Sequence, residues 1–236
     1  LYGKNIDHPY WLDFGKDNYA GVTWSNIPKE DGRTLFMGWM SNWLYAQEVP
    51  SETWRSAMTI ARKLQLKKEN DKYIITSTPV KELEKYVGEI ITKWKLTDDD
   101  HAIIDKKELD LTKAQVSFLI PKITKDVHLT LNNESGDQFK FGFKKKENEF
   151  YIDRSKSGIT DFGKEFASTV STGRRISTSD SLKVNLILDN MSIEIFYDDG
   201  KTVMTEIFFP KQPYTSLKIN EGVPVIDIEA NEFNFN

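Results

Sequence analysis

The sequence predicts an all-β fold built from two parts, and three observations support this prediction. Short apolar stretches recur along the chain, clusters of turn-forming residues separate them, and aromatic residues make up 12% of the 236 residues. Aromatic side chains pack well on pleated sheets, and many short strands with turn signals between them are typical of antiparallel sheets. A chain of this length, with 39% hydrophobic residues, has enough material for a sizeable core.

The first part, residues 1–66, contains three short stretches with strand character. They are Tyr19–Trp24, Thr34–Trp39 and Ser56–Ile60, and the turn-forming segment Asn26–Gly32 separates the first two. Antiparallel strands at this spacing indicate a sheet such as a propeller blade. About one or two blades cannot close a ring, so the sequence predicts that strand edges stay open.

The second part, residues 67–236, is predicted to begin with a short helix and to continue as strands. Pro79 precedes Val80–Lys85 and is predicted to occupy the first helical position, where proline is favoured. Alternating apolar and polar residues then predict an antiparallel β-sandwich. The strongest strand patterns are Phe139–Phe143, Lys183–Leu188, Ser192–Tyr197 and Val203–Phe209.

Composition excludes several classes of function. The chain has no Cys, so it has no disulfide, no thiolate metal site and no cysteine nucleophile. Its three histidines are widely spaced, and the adjacent acids Asp98–Asp100 lack the alternation of a calcium loop, so neither a metal nor a cofactor is predicted. The net charge is −4 with mixed signs, which argues against nucleic acid, and no apolar run approaches the ~20 residues of a membrane span.

The segment Tyr10–Ala20 is the first candidate for a binding site. It gathers acidic residues, Lys16 and several aromatic residues around a glycine turn. Carboxylate and ammonium groups form charge-assisted hydrogen bonds with sugar hydroxyls, so Asp13 and Lys16 are candidate sugar ligands. A solvated surface turn is the alternative interpretation of the same pattern.

The second candidate is the segment Gly38–Ala46, which follows an apolar strand and therefore lies where binding loops gather. Trp39 and Trp43 are four residues apart, and two interpretations stay open. One ring could be buried while the other is exposed for stacking on a sugar, or both could pack in the core.

Both segments resemble motifs of glycoside hydrolase family 32, which includes invertases, inulinases and levanases. Asp13–Ala20 is similar to the family's Asp-aromatic-Gly-x-Asp-x-Tyr-Ala motif, and Gly38–Tyr45 to the motif that follows it. Further stretches match in the same order, from about residue 8 to the end of the chain. They are Val49-Pro50, Thr53–Thr59, Ile60–Leu64, Pro79–Leu83, Tyr151–Gly158 and Asp189–Phe196.

The resemblance implies a five-bladed β-propeller followed by a β-sandwich, with residues 1–66 in the last part of the propeller and residues 67–236 in the linker and sandwich. Family members cleave β-fructofuranosyl bonds with retention, using two Asp residues and one Glu. The motifs that carry these residues (Trp-Met-Asn-Asp-Pro-Asn-Gly, Arg-Asp-Pro and Glu-Cys) do not occur here. No catalytic residue is therefore assigned, and the chain alone is expected to be inactive.

Three supporting residues are carried over by the resemblance. Asp13 and Lys16 match positions at the rim of the family's pocket, and Trp43 matches an aromatic residue that packs against the terminal fructose. The other walls of that pocket belong to the propeller blades expected upstream of this chain. Without them the three side chains would be present without a pocket.

Two functions from different classes follow. The first is the C-terminal portion of a retaining glycosidase that acts on fructans or sucrose. Its expected partners are that substrate, the N-terminal blades and, through open sheet edges, further copies of the chain. The chain begins with Leu, so an upstream segment is expected. The parent protein is expected to be exported. The alternative is a stand-alone carbohydrate-binding or structural β-sandwich module.

Overall fold

The described residues form an all-β fold, as the sequence predicts. The computed structural model describes residues 10–53, 55–69, 71–96, 101–105 and 108–235, which contain seventeen strands and one short helix. The strands form three sheets in which every pairing is antiparallel. Helices in this part of the chain are too short and too polar to cross a membrane.

The first sheet, here called sheet A, is built from the N-terminal strands. Its order is β1-β2-β4-β5, with β3 paired beside β2. Strand β4 runs across the predicted boundary after residue 66, because it forms a long hairpin with β5 that keeps the chain in sheet A as far as Pro79. The strands are β1 Tyr19–Thr23, β2 Thr34–Met40, β3 Ala57–Met58, β4 Arg62–Glu69 and β5 Lys72–Pro79.

The short helix is where the sequence predicts it, but its first residue differs. It is a 3₁₀ helix over Lys81–Tyr86. Pro79 is the last residue of β5 rather than the first helical residue, and Val80 is extended at φ −71 and ψ 144. The proline ring and the fixed φ of Pro79 therefore end a strand here.

The rest of the chain forms two six-stranded sheets. Sheet B has the order β15-β14-β13-β8-β17-β6, and sheet C has the order β12-β11-β10-β9-β16-β7. Sheet B contains β6 Val87–Lys95, β8 Lys113–Ile120, β13 Leu182–Asp189, β14 Ser192–Tyr197, β15 Thr202–Ile207 and β17 Ile226–Phe233. Sheet C contains β7 Ala102–Ile104, β9 Val127–Asn132, β10 Gln138–Lys144, β11 Glu149–Lys156, β12 Ser171–Arg174 and β16 Ser216–Ile219.

One hydrophobic cluster joins sheets B and C. Phe141 of sheet C is fully buried and belongs to the same cluster as Leu186 and Ile195 of sheet B. The alternation of Phe139–Phe143 places the three phenylalanines in this cluster and the two residues between them on the other face. The burial of this shared core is the main stabilising contribution to the two sheets.

Sheet A contacts the outer face of sheet B. Ile60 and Leu83 pack against a small buried cluster that includes Phe196 and Val203. At the end of β5 the amide of Ser77 donates a 2.9 Å hydrogen bond to the carbonyl oxygen of Gly200. Sheet A is therefore tied to sheet B by apolar packing and by direct backbone contact.

Gly200 is the position where this contact tolerates no side chain. Its φ is +75°, and a Cβ would lie 2.0 Å from the carbonyl oxygen of Ser77. We expect Gly200→Ala to lower the free energy of unfolding, measured by urea titration, by about 2–4 kcal/mol, since left-handed strain of about 1–2 kcal/mol adds to the displaced contact. Gly136→Ala is the matched control because Gly136 has a φ of +83° and open space around it. Equal losses in the two variants would show that the Ser77 contact contributes nothing.

Candidate functional site

The first predicted motif lies along the edge of sheet B. The amide of Phe14 donates to the carbonyl of Val203 at 2.8 Å, and the amide of Asp17 donates to the carbonyl of Thr205 at 3.2 Å. Strand β15 is the outermost strand of sheet B, so this segment covers a sheet edge that would otherwise be open. Gly15 is required here because a Cβ would lie 2.0 Å from the Thr205 oxygen.

Asp13 is buried in an ion network rather than exposed in the turn. One of its oxygens accepts hydrogen bonds from the amides of Gly15 and Thr205, at 2.9 and 2.8 Å. The other accepts from Arg62, Asn18 and the Thr205 hydroxyl, at 2.8, 3.0 and 2.6 Å. These five bonds fill the acceptor sites of the carboxylate. The surroundings of Asp13 therefore support a structural role, and its predicted contact with a sugar stays a prediction.

Arg62 connects Asp13 to a second buried carboxylate. Its guanidinium also binds Glu194 of β14 through Nε at 3.0 Å and through a shorter contact from Nη2, and Nη2 donates to Thr205 Oγ1 at 2.7 Å. Glu194 in turn accepts a 2.7 Å hydrogen bond from the amide of Ile60. Arg62 lies on β4 and is fully buried, so this network joins sheet A, the Asp13 segment and sheet B.

A second buried network lies at the other end of the motif, around Arg154 of β11. Arg154 Nη1 lies 2.7 Å from Asp17 Oδ2 and 2.7 Å from Glu206 Oε2, and Nη2 donates to the hydroxyl of Tyr45 at 2.7 Å. The Tyr45 hydroxyl donates to Asp17 Oδ1 at 2.6 Å. The guanidinium also lies over the ring of Phe166 at 3.8 Å. Residues from both predicted motifs thus meet on one arginine of sheet C.

The buried carboxylates have different protonation behaviour. Burial opposes the ionisation of Asp13, but the charge of Arg62 and hydrogen bonds from Thr205 and Asn18 outweigh it and hold the pKa of Asp13 below its usual value. Burial raises the pKa of Glu194 despite Arg62. Burial likewise raises the pKa of Glu206 despite Arg154, because Asp17 adds a second negative charge nearby.

The lowered pKa of Asp13 predicts a pH-dependent contribution to stability. A carboxyl group with a lower pKa in the folded state stabilises fully above its unfolded pKa of about 3.9, and this stabilisation is lost as pH falls through the folded pKa. We expect the difference in unfolding free energy between the wild type and Asp13→Asn to be constant from about pH 5 to 7 and to shrink below about pH 4. Urea titrations from pH 2.5 to 7 measure it, with the exposed Asp161→Asn as control. A difference that does not change with pH would contradict the assignment.

Lys16 lies between the two networks and is half-buried. Its amide donates to Glu206 at 3.1 Å, and its ammonium group donates to the carbonyl oxygen of Thr169 at 2.5 Å. Burial lowers the pKa of Lys16, and the positive charge of Arg154 acts in the same direction, against the attraction of Glu206. Part of the Lys16 side chain therefore stays accessible while its head group is held by the segment between β11 and β12.

Trp43 is exposed and Trp39 is half-buried, so neither ring lies in the core and the structure matches neither predicted arrangement in full. Trp43 stands on a turn after β2 and is 64% exposed, with its ring 5.0 Å from that of Trp39. Asn42 fixes this turn in two ways. Its side-chain amide donates a hydrogen bond to the backbone carbonyl of Lys16 at 3.0 Å, and its backbone carbonyl accepts a hydrogen bond from the backbone amide of Ala46 at 2.8 Å. The structure thus brings the turn of Trp43 beside Lys16.

Asp13, Lys16 and Trp43 are together called the rim below. The sequence analysis missed Arg62, Arg154 and Glu206, which hold the rim segments in place. Their partners lie far away in sequence, at separations of 49 and 132 residues for Arg62 and 137 residues for Arg154 and Asp17. The available signal was that each arginine lies in a stretch resembling a family motif, Ile60–Leu64 or Tyr151–Gly158, but the neighbouring residues do not reveal its buried partners. Within the described residues, no group of three or more His, Asp or Glu is placed to hold a metal ion.

Comparisons with known proteins show that this all-β chain is similar to glycosidases, among them a levanase and exo-inulinases. The chain is 34% identical over 232 residues to a levanase of Bacillus subtilis (strain 168), covering 94% of this chain and 34% of the levanase. It is 26% identical to an extracellular exo-inulinase of Aspergillus ficuum, covering 95% of this chain and 42% of the inulinase. The crystal structure of an exo-inulinase from Aspergillus awamori superposes with a TM-score of 0.78 at 22% identity, covering 96% of this chain and 44% of that one.

Family models make the assignment specific. The model described as "Glycosyl hydrolases family 32 C terminal" matches residues 81–232, and the model described as "Glycosyl hydrolases family 32 N-terminal domain" matches residues 3–79. The chain belongs to glycoside hydrolase family 32. It spans between about a third and half of the length of these relatives.

Proposed function

We propose that this chain is the C-terminal part of a hydrolase that cleaves β-fructofuranosyl linkages in fructans or sucrose with retention, and that it has no turnover alone. The observation that carries the proposal is the match to both family models together with a coverage of only 34% of the levanase. The three motifs expected to carry the catalytic carboxylates are absent from the sequence. Retention requires two such groups about 5–5.5 Å apart, which the upstream part would supply.

The architecture supports this proposal. Sheet A lies entirely within the stretch that matches the N-terminal family model, and we assign it to the end of a five-bladed propeller. Sheets B and C lie almost entirely within the C-terminal match, and we assign them to the β-sandwich.

Strand β1 is exposed along its whole length and forms one edge of sheet A. We propose that an upstream strand of the complete enzyme pairs there, and that the isolated chain self-associates instead, which light scattering over a concentration series tests.

In the complete enzyme, the rim contributes to recognition of the sugar. Trp43 presents an open indole face on a fixed turn, and an aromatic face covers the C–H side of a fructose ring. Lys16 adds a half-buried ammonium group beside that turn. Asp13 acts in this proposal mainly by holding the segment that carries Lys16.

Because the inulinase relatives are named extracellular, we also propose that the parent protein is exported.

A fusion protein tests the proposal. The part of the Bacillus subtilis levanase that precedes the matched region is joined to this chain, and fructose release from levan and sucrose is measured. We expect fructose release from the fusion and none from the isolated chain. In the fusion, Trp43→Ala is expected to decrease kcat/KM by about tenfold or more, because it removes the ring that covers the sugar. The Trp43 side chain is exposed, so its loss leaves the fold intact. Trp24→Ala, directly after β1, is the matched control. Turnover by the isolated chain, or a cooperatively folded fusion without turnover, would contradict the proposal.

The alternative, a stand-alone carbohydrate-binding module, makes a different prediction. It requires the rim to bind saccharide without the upstream blades. Isothermal titration of the isolated chain with levan oligosaccharides would then give saturable heat that Trp43→Ala removes. Trp43 is 64% exposed on its turn, so we expect no such Trp43-dependent heat from the chain alone.

A further inference from the structure

A polar groove lies between sheet A and the outer face of sheet B, away from the rim. Two adjoining hollows of about 890 and 480 Å³ form it, and Pro79, Gln115 and Asn185 line both. None of the three rim residues lines either hollow. The volumes are in the usual range of small-molecule sites, about 300–1,000 Å³. The groove lies wholly within this chain and needs no upstream segment to form.

The floor of the groove carries hydrogen-bonding groups that are free to meet a ligand. Gln115 Nε2 donates to Asn185 Oδ1 at 2.9 Å, which leaves one amide oxygen and one amide NH₂ without a further partner among the described residues. If both side-chain amides are rotated by 180°, one amide oxygen and one amide NH₂ again stay without a further partner. Ser117 and Glu229 face each other on paired strands beside them, and neither side chain has a partner in the described part of the chain.

An exposed aromatic side chain extends this floor at its open side. Thr92 of β6 pairs with Glu229, so the alternation of the strand places Trp94 on the same outer face. Trp94 is 82% exposed, the highest value among the large hydrophobic residues described. From β14 to β6 the floor crosses five strands, about 19 Å at the usual strand spacing, which accommodates several sugar rings.

From these features we propose that the groove is a second saccharide-binding site, which takes a neutral oligosaccharide along the outer face of sheet B. Amide, hydroxyl and carboxylate groups side by side both donate to and accept from sugar hydroxyls, and the indole face covers the C–H side of a ring. Two ion pairs line the groove, because Lys183 binds Asp199 and Arg33 binds Asp31. Glu229 adds a carboxylate without a partner in the described part of the chain, so the groove favours an uncharged ligand over an anion.

The choice of fructan as the ligand rests on the proposed function. A groove separate from the rim would hold a second stretch of the polymer and raise the local concentration of chain ends. The groove would therefore act on polymeric substrate and leave the recognition of single sugars to the rim.

Isothermal titration of the isolated chain with a fructo-oligosaccharide of about four to five units tests the proposal. We expect saturable binding that weakens by about tenfold or more in Trp94→Ala and also weakens in Glu229→Ala, because each variant removes one anchor from the groove. Trp43→Ala, which alters the rim alone, is expected to bind like the wild type. Trp94 is so exposed that the urea unfolding midpoint of Trp94→Ala should be unchanged, which verifies its fold.

The outcomes separate this proposal from the proposed function. Absence of saturable heat in the wild type, or equal affinity in the wild type and Trp94→Ala, overturns the groove proposal and leaves the fusion assay untouched. Trp94-dependent binding of cello-oligosaccharide in place of fructo-oligosaccharide would keep the groove as a saccharide site and count against fructan as its ligand.

Discussion

Arg62→Met is expected to lower the free energy of unfolding by about 3–5 kcal/mol, the usual loss when one partner of a buried ion pair is removed. Arg62 has no solvent exposure and neutralises both Asp13 and Glu194, which are almost completely buried themselves. Methionine fills a similar volume but leaves the two carboxylates without a cation. Urea titration at pH 7 measures the loss, which should become smaller at low pH as Glu194 gains a proton.

The triple variant Arg62→Met/Asp13→Asn/Glu194→Gln is the control for this prediction. It removes the charges together with the arginine, and we expect it to recover much of the lost stability because no buried charge is left unpaired. The stability of Arg62→Lys should lie between that of the wild type and that of Arg62→Met. The lysine ammonium group keeps the positive charge, but it lacks the planar guanidinium that binds both acids at once. A loss below about 1 kcal/mol for Arg62→Met would show that the network adds nothing to stability.

Arg154→Met is expected to have an effect of the same size, about 3–5 kcal/mol, for a related reason. Asp17 and Glu206 share the single guanidinium of Arg154, and Tyr45 and Phe166 pack around it. Its loss leaves two acids in a buried site. The pKa of Glu206 is already raised by burial, so we expect Glu206 to take up a proton in the variant.

Tyr45→Phe is the matched comparison for Arg154→Met. It removes only the hydroxyl that bridges Asp17 and Arg154, and we expect a loss of about 1–3 kcal/mol. Amide hydrogen exchange distinguishes the two variants further, because only Arg154→Met should release both the Asp17 segment and the turn that carries Trp43. Protection of Ala46 that does not change in Arg154→Met would contradict the proposed role of Arg154 in fixing that turn.

Much of the fold follows from local sequence patterns. The alternation of Phe139–Phe143 and of Ser192–Tyr197 predicts strands that the structure contains as β10 and β14. Ser56–Ile60 shows the limit of such patterns, because only Ala57–Met58 pairs as a strand. The length of a strand at this position depends on how much of β2 is available for pairing, and the local sequence does not predict that length.

The candidate site was less predictable for a physical reason. Local sequence identified the segments that carry Asp13, Lys16 and Trp43 as unusual, but neither predicted arrangement of the two tryptophans is matched in full, because Trp43 is exposed and Trp39 is only half-buried. The burial of Asp13 could not be predicted, because it depends on Arg62 and Thr205, which are 49 and 192 residues away. A charged turn and a buried ion network have the same local composition, and only the tertiary structure distinguishes them.

The most direct test of the account is the intact mass of the polypeptide that carries these residues in the organism that makes it. We predict a mass well above 27.3 kDa, the mass of the present 236 residues, because the catalytic carboxylates are proposed to lie upstream. A mature product with a mass near 27.3 kDa would contradict the account and would favour a binding or structural module instead.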